Sequence, residues 1–191
     1  MWKASARLMA GAAFLALSGC AKKEAAPTIN ASMTDVMEPK AEVIWDTVSK
    51  AYNEIGDGLT ADKLNADDWK AIAAASSALK TRAEILAKTD HIVVANANEP
   101  ILGSQAVGIK GQIGPAWDAV NAQTVQSRID ARPDLFKEKA RVLIDAADAI
   151  LRASQTKDVA LLYKVASDMD EVCDGCHEPF WGTDEPPAPP R

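Results

Sequence analysis

Cys173-Asp174-Gly175-Cys176-His177 is the stretch whose residue types and spacing could do chemistry. Two cysteines separated by two residues, with histidine directly after the second, form the attachment signature of c-type haem. Each thiol adds across a haem vinyl group, and the imidazole becomes an axial ligand of the iron. The spacing has a mechanical reason: a tight CxxC segment lets both sulfurs reach one macrocycle while the next residue is directed beneath the ring. Small Gly175 and short Asp174 do not obstruct that approach.

The same five residues admit two other readings. A dithiol redox pair prefers a helix N-terminus, where the dipole lowers thiol pKa, but this motif follows a long helical run and precedes Pro179. A structural zinc site wants four ligands, and downstream of the N-terminal segment the N and S candidates are Cys173, Cys176, His177 and His91. His91 is also a candidate second axial ligand, set against the commoner use of such a histidine at a surface or helix end.

The elements that must position this motif begin after residue 19. Lys3 and Arg7 make a positive start, Leu8 to Leu17 a short apolar run, and small residues precede Cys20, which together read as a signal peptide over 1–19. The run is too short to span a bilayer as a mature helix. Leu17-Ser18-Gly19-Cys20 resembles a bacterial lipobox, which implies cleavage before Cys20, lipid on that cysteine, and a place on the periplasmic side of a bacterial membrane, inner or outer. The alternative is an ordinary signal peptide cleaved elsewhere. On the lipobox reading Cys20 carries lipid, Cys173 and Cys176 carry haem, and no thiol is left for a disulfide. Loss of the leader removes two cations and no anions, so the net charge moves from −6 to −8. An acidic surface argues against nucleic acid and favours a redox partner with a basic docking face.

Residues 20–31 read as a tether. Met33, Met37, Ile44, Val48 and Ile55, with Ala41 and Ala51, predict a first helix over about 31–55, kinked where Pro39 crowds the Asp35 carbonyl and ended by Gly56-Asp57-Gly58. Trp69, Ile72, Ser76, Leu79, Ala83 and Leu86 predict a second, capped by Asn65 to Asp68 and ending near Lys88. Residues 89–130 are a glycine-punctuated connection with one short helix expected at 115–126. Phe136, Ala140, Leu143, Ala147 and Ile150 place a third helix from Pro133 to about Ala153. Val159, Leu162, Val165, Met169, Val172 and Cys176 form one stripe of a fourth, with Cys173 on its flank and Pro179 as its stop. The Pro-rich tail 182–191 is expected to be disordered.

Over residues 32–181 this pattern resembles the class II c-type cytochromes, the cytochrome c-prime superfamily. CxxCH followed by Phe180 carries the resemblance, as do Met33, Pro39 and then Ile44-Trp45-Asp46, which look like a methionine-containing proteobacterial branch. The resemblance implies an all-α, antiparallel four-helix bundle holding one covalent haem c, with His177 as proximal ligand. It implies Met33 as distal ligand, with Met37 as second choice; both methionines can equally be core filler. Methionine there gives a six-coordinate iron suited to carrying single electrons, and its absence gives a five-coordinate haem that binds NO or CO. The superfamily commonly has Arg or Lys where this chain has Trp181, which puts a proximal gas site in doubt. Phe180 and Trp181 are expected to pack at the haem edge or simply to cover the core. Homodimers through the first two helices are common in the superfamily, and nothing in the sequence decides that point. No constellation suggests bond-making chemistry, so the expectation is an electron carrier rather than an enzyme.

Overall fold

The computed structural model describes residues 26–97, 99, 101 and 121–181. The leader, Cys20, the first half of the tether, the centre of the long connection and the tail 182–191 lie outside the described residues. What is described is helical and packed together, without strands; Tyr52 and Leu59 form one isolated antiparallel bridge.

The chain enters at α1 (Ile29–Ser32), whose N-cap Thr28 accepts a hydrogen bond from the Ala31 amide at 3.1 Å. It continues through a single wide turn, Met33–Met37, into α2 (Glu38–Ser49). In that π-turn the Glu38 amide reaches back five residues to the Met33 carbonyl. The cause is Pro39, which has no amide hydrogen for the Asp35 carbonyl and crowds it, so the helix widens just before the proline rather than breaking.

The first helix stops earlier than its periodicity suggests. Ile55 is 80% exposed, because the chain turns back after Ser49 and pairs with itself. The Thr60 amide donates to the Ala51 carbonyl at 2.7 Å, and the Asn53 side chain accepts from the Gly56 and Asp57 amides. Gly56 takes φ +77°, where a side chain would be strained.

Helix α3 (Ala66–Lys88) fits its expected bounds. Asn65 accepts from the Asp67 and Asp68 amides while Asp68 accepts from the Asn65 amide, a reciprocal capping box. Trp69, Ile72, Ala75, Leu79, Ala83 and Leu86 are buried. The most extensive packing in the molecule sets α3 against α5 (Pro133–Thr156), where Phe136, Ala140, Ala147 and Ile150 face it. Alanines on both sides let the two rods approach, and Lys80 of α3 reaches Asp148 of α5 at 2.5 Å.

The short helix of the connection is α4 (Ala122–Ala131), with Asn121 as N-cap. It extends past Gln126, and residues 115–120 lie outside the description. Arg132 alone separates it from α5, at φ −142° and ψ 54°. A residue before proline is forced out of helical geometry, so Pro133 both ends one helix and begins the next.

The last rod is two helices rather than one. Asp158 caps α6 (Val159–Ser167), the chain pivots at Asp168, and α7 (Met169–Trp181) follows. Contrary to its expected role as a stop, Pro179 lies inside α7. α2 packs on α3 and touches α6, while α7 packs on α5, α4 and α6. No described helix is long and apolar enough to cross a membrane.

Candidate functional site

Helix α7 presents Cys173, Cys176 and His177 together. At 3.6 residues per turn, Cys173 and Cys176 lie about 60° apart, and His177 lies about 40° beyond Cys173, so all three fall within an arc of about 100°. The buried Met169 and Phe180 run down the same side of the helix, between the two cysteines. Both thiols are free and half-buried.

Burial decides the protonation of this trio. It pushes both thiols up to about 11, with Asp170 and Asp174 adding to the effect at Cys173, and Cys173 adding to it at Cys176 while Lys139 opposes it. Burial also holds His177 below the ordinary imidazole range, with Asp174 pulling the other way. At neutral pH the sulfurs are thiols and the ring is uncharged. A dithiol redox centre works through a lowered thiol pKa, so this environment opposes that reading; a neutral imidazole is the form that ligates a metal. Among the described residues no group of three or more His, Cys, Asp or Glu is arranged to hold a metal ion. His91 is exposed at the end of α3.

A relay of hydrogen bonds places the other candidates. The Ile29 and Asn30 amides donate to the Val93 and Val94 carbonyls at 2.9 and 2.8 Å. The Gln126 side chain of α4 accepts from the Val94 amide and donates to the Ile92 carbonyl. Farther along, Arg128 of α4 donates to the Phe180 carbonyl at 3.0 Å, and Arg132, just past the end of α4, to the Pro179 carbonyl. The start of α1 and the end of α7 therefore belong to the same end of the molecule. Met33 lies four residues inside Ile29, and His177 three residues inside Phe180, which is about one turn in each case. Met33 is half-buried against the core, whereas Met37 is only 7% exposed. The π-turn packs on α2 and α3, and α7 chiefly on α5, so the two candidate segments are not principal neighbours of each other.

The aromatic pair divides its work. Phe180 is fully buried, edge-on to Phe136 at 5.7 Å, which is the core-covering use. Trp181 is half-buried, with its ring 5.8 Å from the His177 ring and tilted by 56°. On the opposite flank of α7 runs an open groove of about 970 Å³, lined by Lys139, Val142, Val172 and Gly175 among others. The Lys139 ammonium lies 4.0 Å from where a Cβ on Gly175 would stand. Arg128, Arg132 and Lys139 had no signal in the sequence, because each reaches α7 from a distant part of the chain.

Comparison with known proteins finds no matching family model, no matching curated protein and no matching solved structure.

Proposed function

We propose that this chain is a monohaem c-type cytochrome of class II that carries single electrons on the periplasmic side of a bacterial membrane. In this reading the rods α1–α2, α3, α5 and α6–α7 form an antiparallel four-helix bundle, and lipid on Cys20 tethers it without a spanning helix. The observation that carries the reading is the trio on α7: two protonated thiols and one neutral imidazole within one arc of a half-buried helix face. Cys173 and Cys176 would hold haem c through thioethers, and His177 would be the proximal ligand. Haem c supplies a one-electron ferric–ferrous couple when bound.

The residues of this chain would do the rest. Met33 offers a soft thioether, a ligand that raises reduction potential relative to a second imidazole. Its level in the molecule, about one turn inside the same end as His177, supports it as distal ligand, and the burial of Met37 suits core filling. The neighbouring bulk of Met169, Phe136 and Phe180 excludes water from the side of α7 that bears the trio. Exposed Asp170, Glu171, Asp174 and Glu178 on the outer face of α7 suit a redox partner with a basic surface.

The test is the optical and electron paramagnetic resonance spectrum of the purified protein, with a pyridine haemochrome assay after denaturation. Covalently retained haem, a low-spin ferric signal and indifference to carbon monoxide are expected, and Met33→Ala is expected to open the iron to carbon monoxide. Absence of covalent haem would end the cytochrome reading. A high-spin iron that binds carbon monoxide in the unaltered protein would replace the electron carrier with a five-coordinate protein that binds NO or CO.

A further inference from the structure

The last turn of α7 is not self-sufficient. Pro179 has no amide hydrogen for the Gly175 carbonyl, and its ring crowds that carbonyl. Yet the helix runs on to Trp181. What meets it there is α4. Arg128 Nη1 donates to the Phe180 carbonyl at 3.0 Å, and Arg132 Nη2 donates to the Pro179 carbonyl. The Arg132 guanidinium also lies over the Phe180 ring, 5.3 Å from its centroid, while Phe136 meets that ring from another side. The fork and the flat face of arginine are both in use.

The turn held in this way carries Trp181, whose indole is the aromatic neighbour of the His177 ring at 5.8 Å. We propose that Arg128 and Arg132 are positioning residues: α4 clamps residues 179–181 into helical form and, through Trp181, fixes the orientation of the His177 imidazole. The effect on a bound metal rests on the function proposed above; the effect on the ring does not. Arg128 stands in the last turn of α4 and Arg132 is the non-helical residue just past its end, and the two address consecutive carbonyls of the same neighbour.

The experiment compares unaltered protein with Arg128→Gln/Arg132→Gln, isotopically labelled, by amide hydrogen exchange and by the nuclear Overhauser contact between the His177 and Trp181 rings. The double variant is expected to exchange its Phe180 and Trp181 amides at least tenfold faster and to lose the ring contact. In haem-loaded protein the same variant is expected to change the rhombicity of the low-spin signal. Trp181→Leu is expected to reproduce that spectral change without faster exchange at Phe180. Should the double variant not fold, Arg132→Lys, which keeps charge without the planar fork, is read by the same signals with the same expectation. If the variant melts at lower temperature but keeps the ring contact and an unchanged spectrum, the arginines are caps only and the proposal is overturned. If the unaltered protein retains no haem, the proposed function fails, while exchange and ring contact still decide the clamp.

Discussion

Helices α3 and α7 are both amphipathic, and they are completed in opposite ways. α3 carries its own N-terminal machinery: Asn65 and Asp68 cap each other, Asp67 and Asp68 lie at the positive end of the dipole, and Lys88 at the negative end. α7 begins with Asp170 and Glu171 but contains Pro179, and the Pro179 and Phe180 carbonyls are met by Arg132, just past α4, and by Arg128 of α4. α3 packs over its length on α5, a long seam of small and branched residues, whereas α7 is shorter and keeps its cysteines and histidine half-buried. The self-contained helix is scaffold. The helix completed by its neighbours is the one that carries the two cysteines and the histidine, and its geometry is therefore open to adjustment from outside.

That contrast can be broken or sharpened by substitution. The largest stability loss is expected from Phe180→Ala, about 3–5 kcal/mol for a fully buried aromatic, measured by denaturant melts. It should also abolish the His177–Trp181 ring contact, since Phe180 anchors the clamped turn. Leu79→Ala, at 1% exposure in the α3–α5 seam, is expected to cost about 2–5 kcal/mol yet leave that ring contact intact. Equal loss of the contact in both variants would erase the distinction between the two helices. Asn65→Ala removes the α3 cap and is expected to cost about 1 kcal/mol, with exchange accelerating in the first turn of α3 only.

The last prediction concerns pH. Cys173 and Cys176 ionise near 11 in the folded chain against an ordinary 9. The unfolded chain therefore gives up those protons first, so stability present below about 9 is lost as pH rises towards about 11. Haem-free protein should show a falling melting temperature across that window, and Cys173→Ala/Cys176→Ala should flatten it. Thioethers carry no proton, so haem-loaded protein should show no such thiol-dependent slope.

What could be read from residues alone follows the same division. The bounds of α3, the start of α5 at Pro133 and the buried stripe of each were legible, because caps, proline position and three-four periodicity are local signals. The placing of Cys173, Cys176 and His177 together on the last helix was legible as well, since it follows from spacing. Ile55 fits a helical spacing yet lies in a turn, because a backbone pairing between Ala51 and Thr60 won over periodicity. The pivot at Asp168 leaves the apolar stripe of α6 and α7 continuous and so is invisible in it. Pro179 looked like a stop because the donors that sustain the helix beyond it come from residues 128 and 132, about fifty positions away in the chain. A side chain that completes another element leaves no mark in the sequence around that element.

The π-turn at Met33–Met37 holds one residue more than an α-helix would fit in the same rise. It acts as a stored frame-shift. Were the same residues to close into regular α-helix, everything before the turn would rotate by about 100° relative to α2 and move outward by about 1.5 Å. Met33 would then face a different neighbour while Ile44 and Val48 kept theirs. The aim of that thioether is thus set by a count of residues, separately from the packing that holds the rod in place.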